Sequence, residues 1–490
     1  MVILITILSY FALLFLVSHF SGKGGNEAFF RGERKSPWPL VAFGMVGASI
    51  SGLTFIGVPG WVMGIDMTYM QMCLGFFVGY LVVAFVLLPL YYKYDLTSIY
   101  TYLERRFGTT SYKTGSSFFI LSKLLGSAAK FYVVCQILKV CMMRQLVGSI
   151  SEEAAGWCGE HDGLLYFLTV VLTLLFIWLY TRRSGIKALV WTDSIQTLCL
   201  IVALVLIMLK VSDMLGFSFG EAMTAVWHDS HSRMFEWDDW SSKQNFWKQF
   251  VSGIFVVIVM TGLDQDMMQK NLTCKNLRAA QKDMCSYGML FAPVNFLFLA
   301  LGVLLIMLYA KLGMPLPDKG DALLSDIVMD GGLGTACLVF FTIGVIASAF
   351  SSADSSMTSL TTSFCVDILG KRDDERLRKV VHLAMFGAFV LCTLAFNAIG
   401  SGSVMDLIYT LVSYTYGPLL GLFAFGMLTK RKPCERFVPY IAIASPVVCY
   451  IIDYVVGQTT GYKFGYEMLM FNGLLVFVLL YCSSSNRRLA

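Results

Sequence analysis

Residues 47–64 read GASISGLTFIGVPGWVMG, an apolar stretch that carries Gly47, Gly52, Gly57, Pro59, Gly60 and Gly64. Proline lacks a backbone donor and clashes with the preceding turn, and glycine tolerates dihedrals that other residues avoid. Together they favour a helix that unwinds partway and leaves carbonyl oxygens free. At membrane depth such backbone is tolerated only where it lines a cavity or holds a ligand. Discontinuous helices near the bilayer midplane are where secondary transporters bind substrate and ions. Close helix packing through small residues is the other reading of the glycines.

The rest of the chain places this stretch in a membrane. Of 490 residues, 57% are hydrophobic and 14% charged, against roughly 25% charged in soluble domains. Apolar runs of roughly 20 residues, enough to cross a bilayer as a helix, recur throughout. They are too long and unbroken for barrel strands. The expected fold is an all-α polytopic membrane protein, one transporter domain over residues 1–490. Its spans lie near 2–20, 39–64, 68–91, 116–147, 164–181, 188–209, 248–267, 284–310, 335–365, 380–399, 404–428, 437–455 and 467–483, numbered zero to twelve. The run at Met1 has no basic n-region and is expected to be an anchor rather than a signal peptide.

Loop charge sets the orientation. Alternate loops hold 26 of the 37 basic residues, the opposite set holds 7, and the remaining four lie in span three. Lys and Arg stay on the cytoplasmic side, which places the N-terminus outside and the C-terminus inside. The thirteen cysteines fall almost wholly in the apolar runs and contain no CxxC pair, so buried thiols are expected rather than a disulfide framework.

Span six, GIFVVIVMTGLDQDMMQ (253–269), is interrupted by Gly262 and the polar run behind it. If spans one to five and six to ten are inverted repeats, the two interrupted helices occupy equivalent positions. Span eight carries ASAFSSADSSMTSLTTSF (347–364). Ser348, Ser351, Ser352, Ser355 and Ser359 share one helical face. Such a stripe serves either interhelical hydrogen bonds or a row of oxygen ligands for a hard cation. Asp354 beside it and Asp193 in span five are ionisable groups at membrane depth, and so candidates for function. Their alternative role is a buried ion pair with a lysine of span three.

Four segments in this order resemble the sodium:solute symporter family: SISGLTFIGVPG (49–60), ALVWTDSIQT (188–197), GLDQDMMQKNLTCKN (262–276) and SAFSSADSSMTSLTTSFCVDIL (348–369). YTYGPLLG (414–421) in span ten also fits. The resemblance implies a LeuT-type 5+5 inverted repeat. The first repeat would cover about 39–209 and the second about 248–428, with two extra C-terminal spans over about 437–483. It implies a sodium site built from the carbonyls of Gly47, Ile50 and Ser348 and the hydroxyls of Ser351 and Ser352. A second sodium or proton site would use Asp193, Ser351, Asp354 and Ser355. It also implies a solute site beside the break in span one, with Ser49, Ser51 and Thr54 as candidates and Tyr409 or Thr410 from span ten. The transport unit would be a monomer in a bilayer, with sodium as its only metal and no nucleic-acid partner.

Lys123 and Lys130 bear on the solute. Seven residues apart, they lie about 20° apart around a helix and share a face. A lysine at that depth needs either a carboxylate-bearing solute or an aspartate such as Asp193. An anionic solute such as an acidic sugar, a neutral sugar or polyol, and an amino acid all remain open, as does proton coupling. A membrane enzyme is disfavoured by the absence of HExxH, GxSxG or clustered His/Cys. A channel is disfavoured by the two broken helices, and a sensor by the lack of an appended signalling domain.

Overall fold

A computed structural model of the chain describes residues 2–20, 25–147, 160–329, 332–399, 412–462 and 464–484. The described residues are helical and contain no strand; a single isolated bridge joins Ser36 and Cys274. Eight helices are long and apolar enough to cross a membrane unbroken, from Tyr69–Lys93 to Val438–Thr460. Two further pairs do so only as bent spans, and three shorter apolar helices include Val412–Leu428 and Glu467–Ser483. With no water to satisfy the backbone in lipid, this all-helical solution is the expected one. The cysteines whose side chains are described are free thiols.

Each set of five spans opens on a bent helix. Span one runs as Trp38–Ser49 and then Gly52–Ile65, with halves inclined by 58°. The break falls at Ile50 and Ser51, both in extended backbone, and Ser51 caps the second half by accepting from the Thr54 N–H. Pro59 was the strongest breaker in the sequence, yet it stays inside the second half. The helix stops earlier because the Ser51 hydroxyl satisfies an orphan donor there and Gly52 starts the next turn against its neighbours.

Span six runs from Phe246 to Gly262, ending in a π-type turn, and resumes as Gln265–Asn271 at 70° to the first part. Asp264 occupies the bend and accepts from the Asp266 N–H at 2.8 Å. Sequence reading ended this span at 267 and put Lys270 in a loop. Lys270 instead lies in the second half of the span, with only 1% of its surface exposed.

Span five (Ile186–Leu215) packs against span eight (Gly334–Ser363) and against the first half of span one. The contact with span one is close: a Cβ on Gly47 would stand 2.1 Å from the Thr197 hydroxyl. Glycine at 47 therefore brings the end of the first half-helix against span five and beside the polar face of span eight.

Candidate functional site

The chain folds the span-one break, the serine face of span eight and Asp193 into one buried region. Past the last turn of Trp38–Ser49, carbonyls from Gly47 to Ile50 have no helical successor to bond, as at any helix end. Ser348, Ser351 and Ser355 on span eight are buried to within 1% of full. The Ser348 hydroxyl donates back to the carbonyls of Gly344 (2.8 Å) and Val345 (3.0 Å). Ser351 Oγ donates to Asp193 Oδ1 at 2.8 Å and keeps its lone pairs free. Carbonyl and hydroxyl oxygens without thiolate or imidazole suit a hard cation such as sodium.

Beside this oxygen cluster is a small cavity lined by Ser51, Gly52, Ser127, Lys130, Phe131, Val134 and Ser352. Two of the residues expected on the sodium and solute sides, Ser352 and Ser51, therefore meet across one space with Lys130. Ser51 also lies 3.1 Å from the Thr54 hydroxyl. Ser49 faces the other side of the break, where its hydroxyl bonds Tyr287 of span seven, which in turn accepts from Tyr80 of span two at 2.8 Å. Tyr409 and Thr410 lie outside the described residues. A vestibule of about 1090 Å³ opens at the far end of span one, toward Trp61, Gly64, Asp318 and Asp321. Burial raises the Asp321 carboxyl above its usual range.

The two lysines of span three part company. Lys123 Nζ lies 2.7 Å from Asp266 and 3.2 Å from Asp264, the aspartate pairing that was the alternative to a solute contact. Tyr416 of span ten donates to the same Asp264 at 2.8 Å. Among the described residues Lys130 has no ion-pair or side-chain hydrogen-bond partner, and it lines the cavity. The expected pairing of Asp193 with a span-three lysine is corrected: its partner is Lys270, at 2.7 Å, a contact poorly aligned as a hydrogen bond. Asp354 accepts instead from Tyr180 of span four at 2.5 Å and from Ser355 at 3.2 Å.

The second half of span six is tied down along its length. Gln265 accepts from the Ile99 N–H (2.9 Å) and donates to the Thr97 carbonyl (3.0 Å), and Gln269 donates to Phe30 O and Thr362 Oγ1, both at 2.9 Å. Tyr91 and Tyr100 hold the carbonyls of Gly262 and Leu263, each at 2.8 Å. Sequence reasoning missed Lys270, Tyr180, Tyr287 and Tyr416. For Lys270 a signal existed: Asp266 and Lys270 stand four apart, a helical spacing, just past the last apolar residue.

A model of the sodium:solute symporter family matches residues 29–434. The human sodium/iodide cotransporter is 26% identical over 452 residues, covering 85% of this chain but 65% of that protein. The sodium/sialic acid symporter of Proteus mirabilis is 26% identical over 453 residues, covering 89% of this chain and 86% of its own. Among solved structures, the substrate-bound outward-open state of a Na+-coupled sialic acid symporter superposes with a TM-score of 0.79 at 20% identity, over 99% of both chains. The nucleobase-cation-symport-1 family transporter Mhp1, closed with bromovinylhydantoin bound, does so with a TM-score of 0.56 over 94% of both. These likenesses establish the LeuT-type fold.

Proposed function

The chain belongs to the sodium:solute symporter family, and from that premise we propose that it imports a small organic anion, such as an acidic sugar or related carboxylate, together with sodium. The observation that carries the anionic reading is Lys130, a lysine with no anionic partner among the described residues that shares a cavity with Ser51 and Ser352. An ammonium held in a membrane span is costly unless a counter-charge reaches it, and a solute carboxylate would supply one once the space beside Lys130, about 10 Å³ here, widens to admit it. Sodium is held by the carbonyls of Gly47, Ile50 and Ser348 and the hydroxyls of Ser351 and Ser352. Ser49, Ser51, Thr54, Tyr409 and Thr410 complete the solute side, and none of these residues does covalent chemistry. The protein works as a monomer in a bacterial cytoplasmic membrane, with its N-terminus outside and its basic loops and C-terminus inside, as the alternation of loop charge supports.

The mechanism follows from where the ion sits. A sodium bound between the break of span one and the face of span eight bridges two parts of the bundle that must separate for it to leave. It therefore favours the state in which they are together, by as much as its affinities for the two states differ. Each charge crossing 100 mV adds about 2.3 kcal/mol to the drive inward.

The test is a thermal-shift screen of the purified protein and of Lys130→Met, in sodium and in potassium, with sialic acids, other carboxylates, sugars and amino acids. A ligand that binds only the folded state raises the melting temperature by mass action. Stabilisation by an acid, dependent on sodium and lost in Lys130→Met, is the expected result. A hit equally strong in potassium would point to proton coupling through Asp193 or Asp354, and a neutral ligand indifferent to Lys130→Met would remove the anionic reading.

A further inference from the structure

The residues expected to hold a second cation do converge, but they arrive with a positive charge of their own. Asp193, Ser351, Asp354 and Ser355 are each at most 1% exposed. One carboxylate oxygen of Asp193 takes the Ser351 proton, and the other is in contact with the Lys270 ammonium at 2.7 Å. Asp354 makes no ion pair among the described residues; its two oxygens accept from Tyr180 and Ser355. A sodium ion reaching Asp193 would have to displace Lys270 or stand beside it as a like charge. An ammonium fixed to the same protein competes at an effective concentration set by its short tether rather than by the surrounding salt.

On the sodium-symport reading above, we propose that Lys270 is a tethered cation in the second-ion position, so that the protein binds one sodium per cycle, between spans one and eight. The arrangement also gives Asp193 a positioning role. By holding the Ser351 proton, it turns the hydroxyl lone pairs toward the first sodium, and Lys270 keeps that carboxylate neutralised while it does so.

The experiment counts ions without needing the solute. Equilibrium binding of radioactive sodium to the purified full-length protein should saturate at one ion per chain, with a Hill slope near one. Lys270→Gln leaves Asp193 without its cation, and its count should rise to two ions with a steeper slope; Lys270→Arg should stay at one. Ser352→Ala on the native background, which leaves the buried ion pair intact, should weaken the single ion, raising its half-saturating sodium concentration several-fold. Two ions bound by the native protein would overturn the proposal, as would one ion bound by a folded Lys270→Gln protein. A residual ion in Ser352→Ala of native affinity would overturn it too. No sodium bound by the native protein would instead bring down the symport reading, and this inference with it.

Discussion

Replacing Lys123 by methionine should destabilise the protein whatever ligand is present, because its ammonium is the charge shared by two buried aspartates. It lies 2.7 Å from Asp266 and 3.2 Å from Asp264, whose side chains are 6% and 1% exposed. Methionine keeps much of the stem's volume, so the loss is chiefly electrostatic. Removing one partner of a buried pair costs about 3–5 kcal/mol, since the other charge stays behind unpaired. Here two carboxylates stay behind. Asp264 would retain the Tyr416 hydroxyl and the Asp266 N–H, whereas Asp266 Oδ1 already has no hydrogen-bond partner. The apparent melting temperature, measured at one fixed scan rate in detergent, should fall by roughly 3–5 °C. Adding Asp266→Asn removes one stranded charge, so the double variant should recover part of that fall, a non-additivity expected only of groups in contact. A Lys123→Met protein that melts within about 1 °C of the native one would refute the reasoning. So would a double variant less stable than the single.

Two further outcomes follow from the same geometry. Ser351→Ala should raise the sodium concentration for half-maximal binding more than Ser352→Ala, roughly 10- to 100-fold against several-fold. It removes a ligand and also the hydrogen bond that the buried Asp193 carboxylate accepts, a charged-group bond worth about 1.5–3 kcal/mol; equal effects in sodium titrations would take Asp193 out of the site. Gly60→Ala would put a Cβ 2.0 Å from the Gly320 carbonyl oxygen, backbone that cannot rotate away. Such overpacking costs about 1–3 kcal/mol, so melting temperature and uptake rate should both drop, and native values for both would mean that the 320 loop does not rest on span one in the working protein.

Much of the fold could be read in the chain because lipid enforces it. Long apolar runs must be helices. The span-one break was visible as a cluster of glycines, although its position was not: Pro59 drew attention downstream, while the helix ends where Ser51 can cap its successor. The serine face of span eight was legible because five hydroxyls at helical spacing in an apolar run need an explanation. Partners of the buried charges were not legible. Lys123 and Lys130 share a face and look alike in sequence, and only the approach of the span-six bend gives one of them two aspartates and leaves the other facing a cavity. Tyr180, Tyr287 and Tyr416 were three among 23 tyrosines, distinguished only by what stands opposite them.

The short second half of span six concentrates the consequences. Within Asp264–Asn271 lie Asp264, Asp266 and Lys270, each at most 4% exposed. They are paired with Lys123 of span three and Asp193 of span five. Gln265 and Gln269 bind backbone elsewhere on the same side. Any movement of this segment that opened a path past it would strand charges on three spans at once unless the pairs exchanged partners. Packed elements of that kind shift between discrete arrangements rather than deform continuously. Asp193 also holds Ser351, which we propose as a sodium ligand, so the same exchange would disturb the proposed ion site. The buried ion pairs thus link the second half of span six to the proposed ion site, through contacts short enough to be broken one substitution at a time.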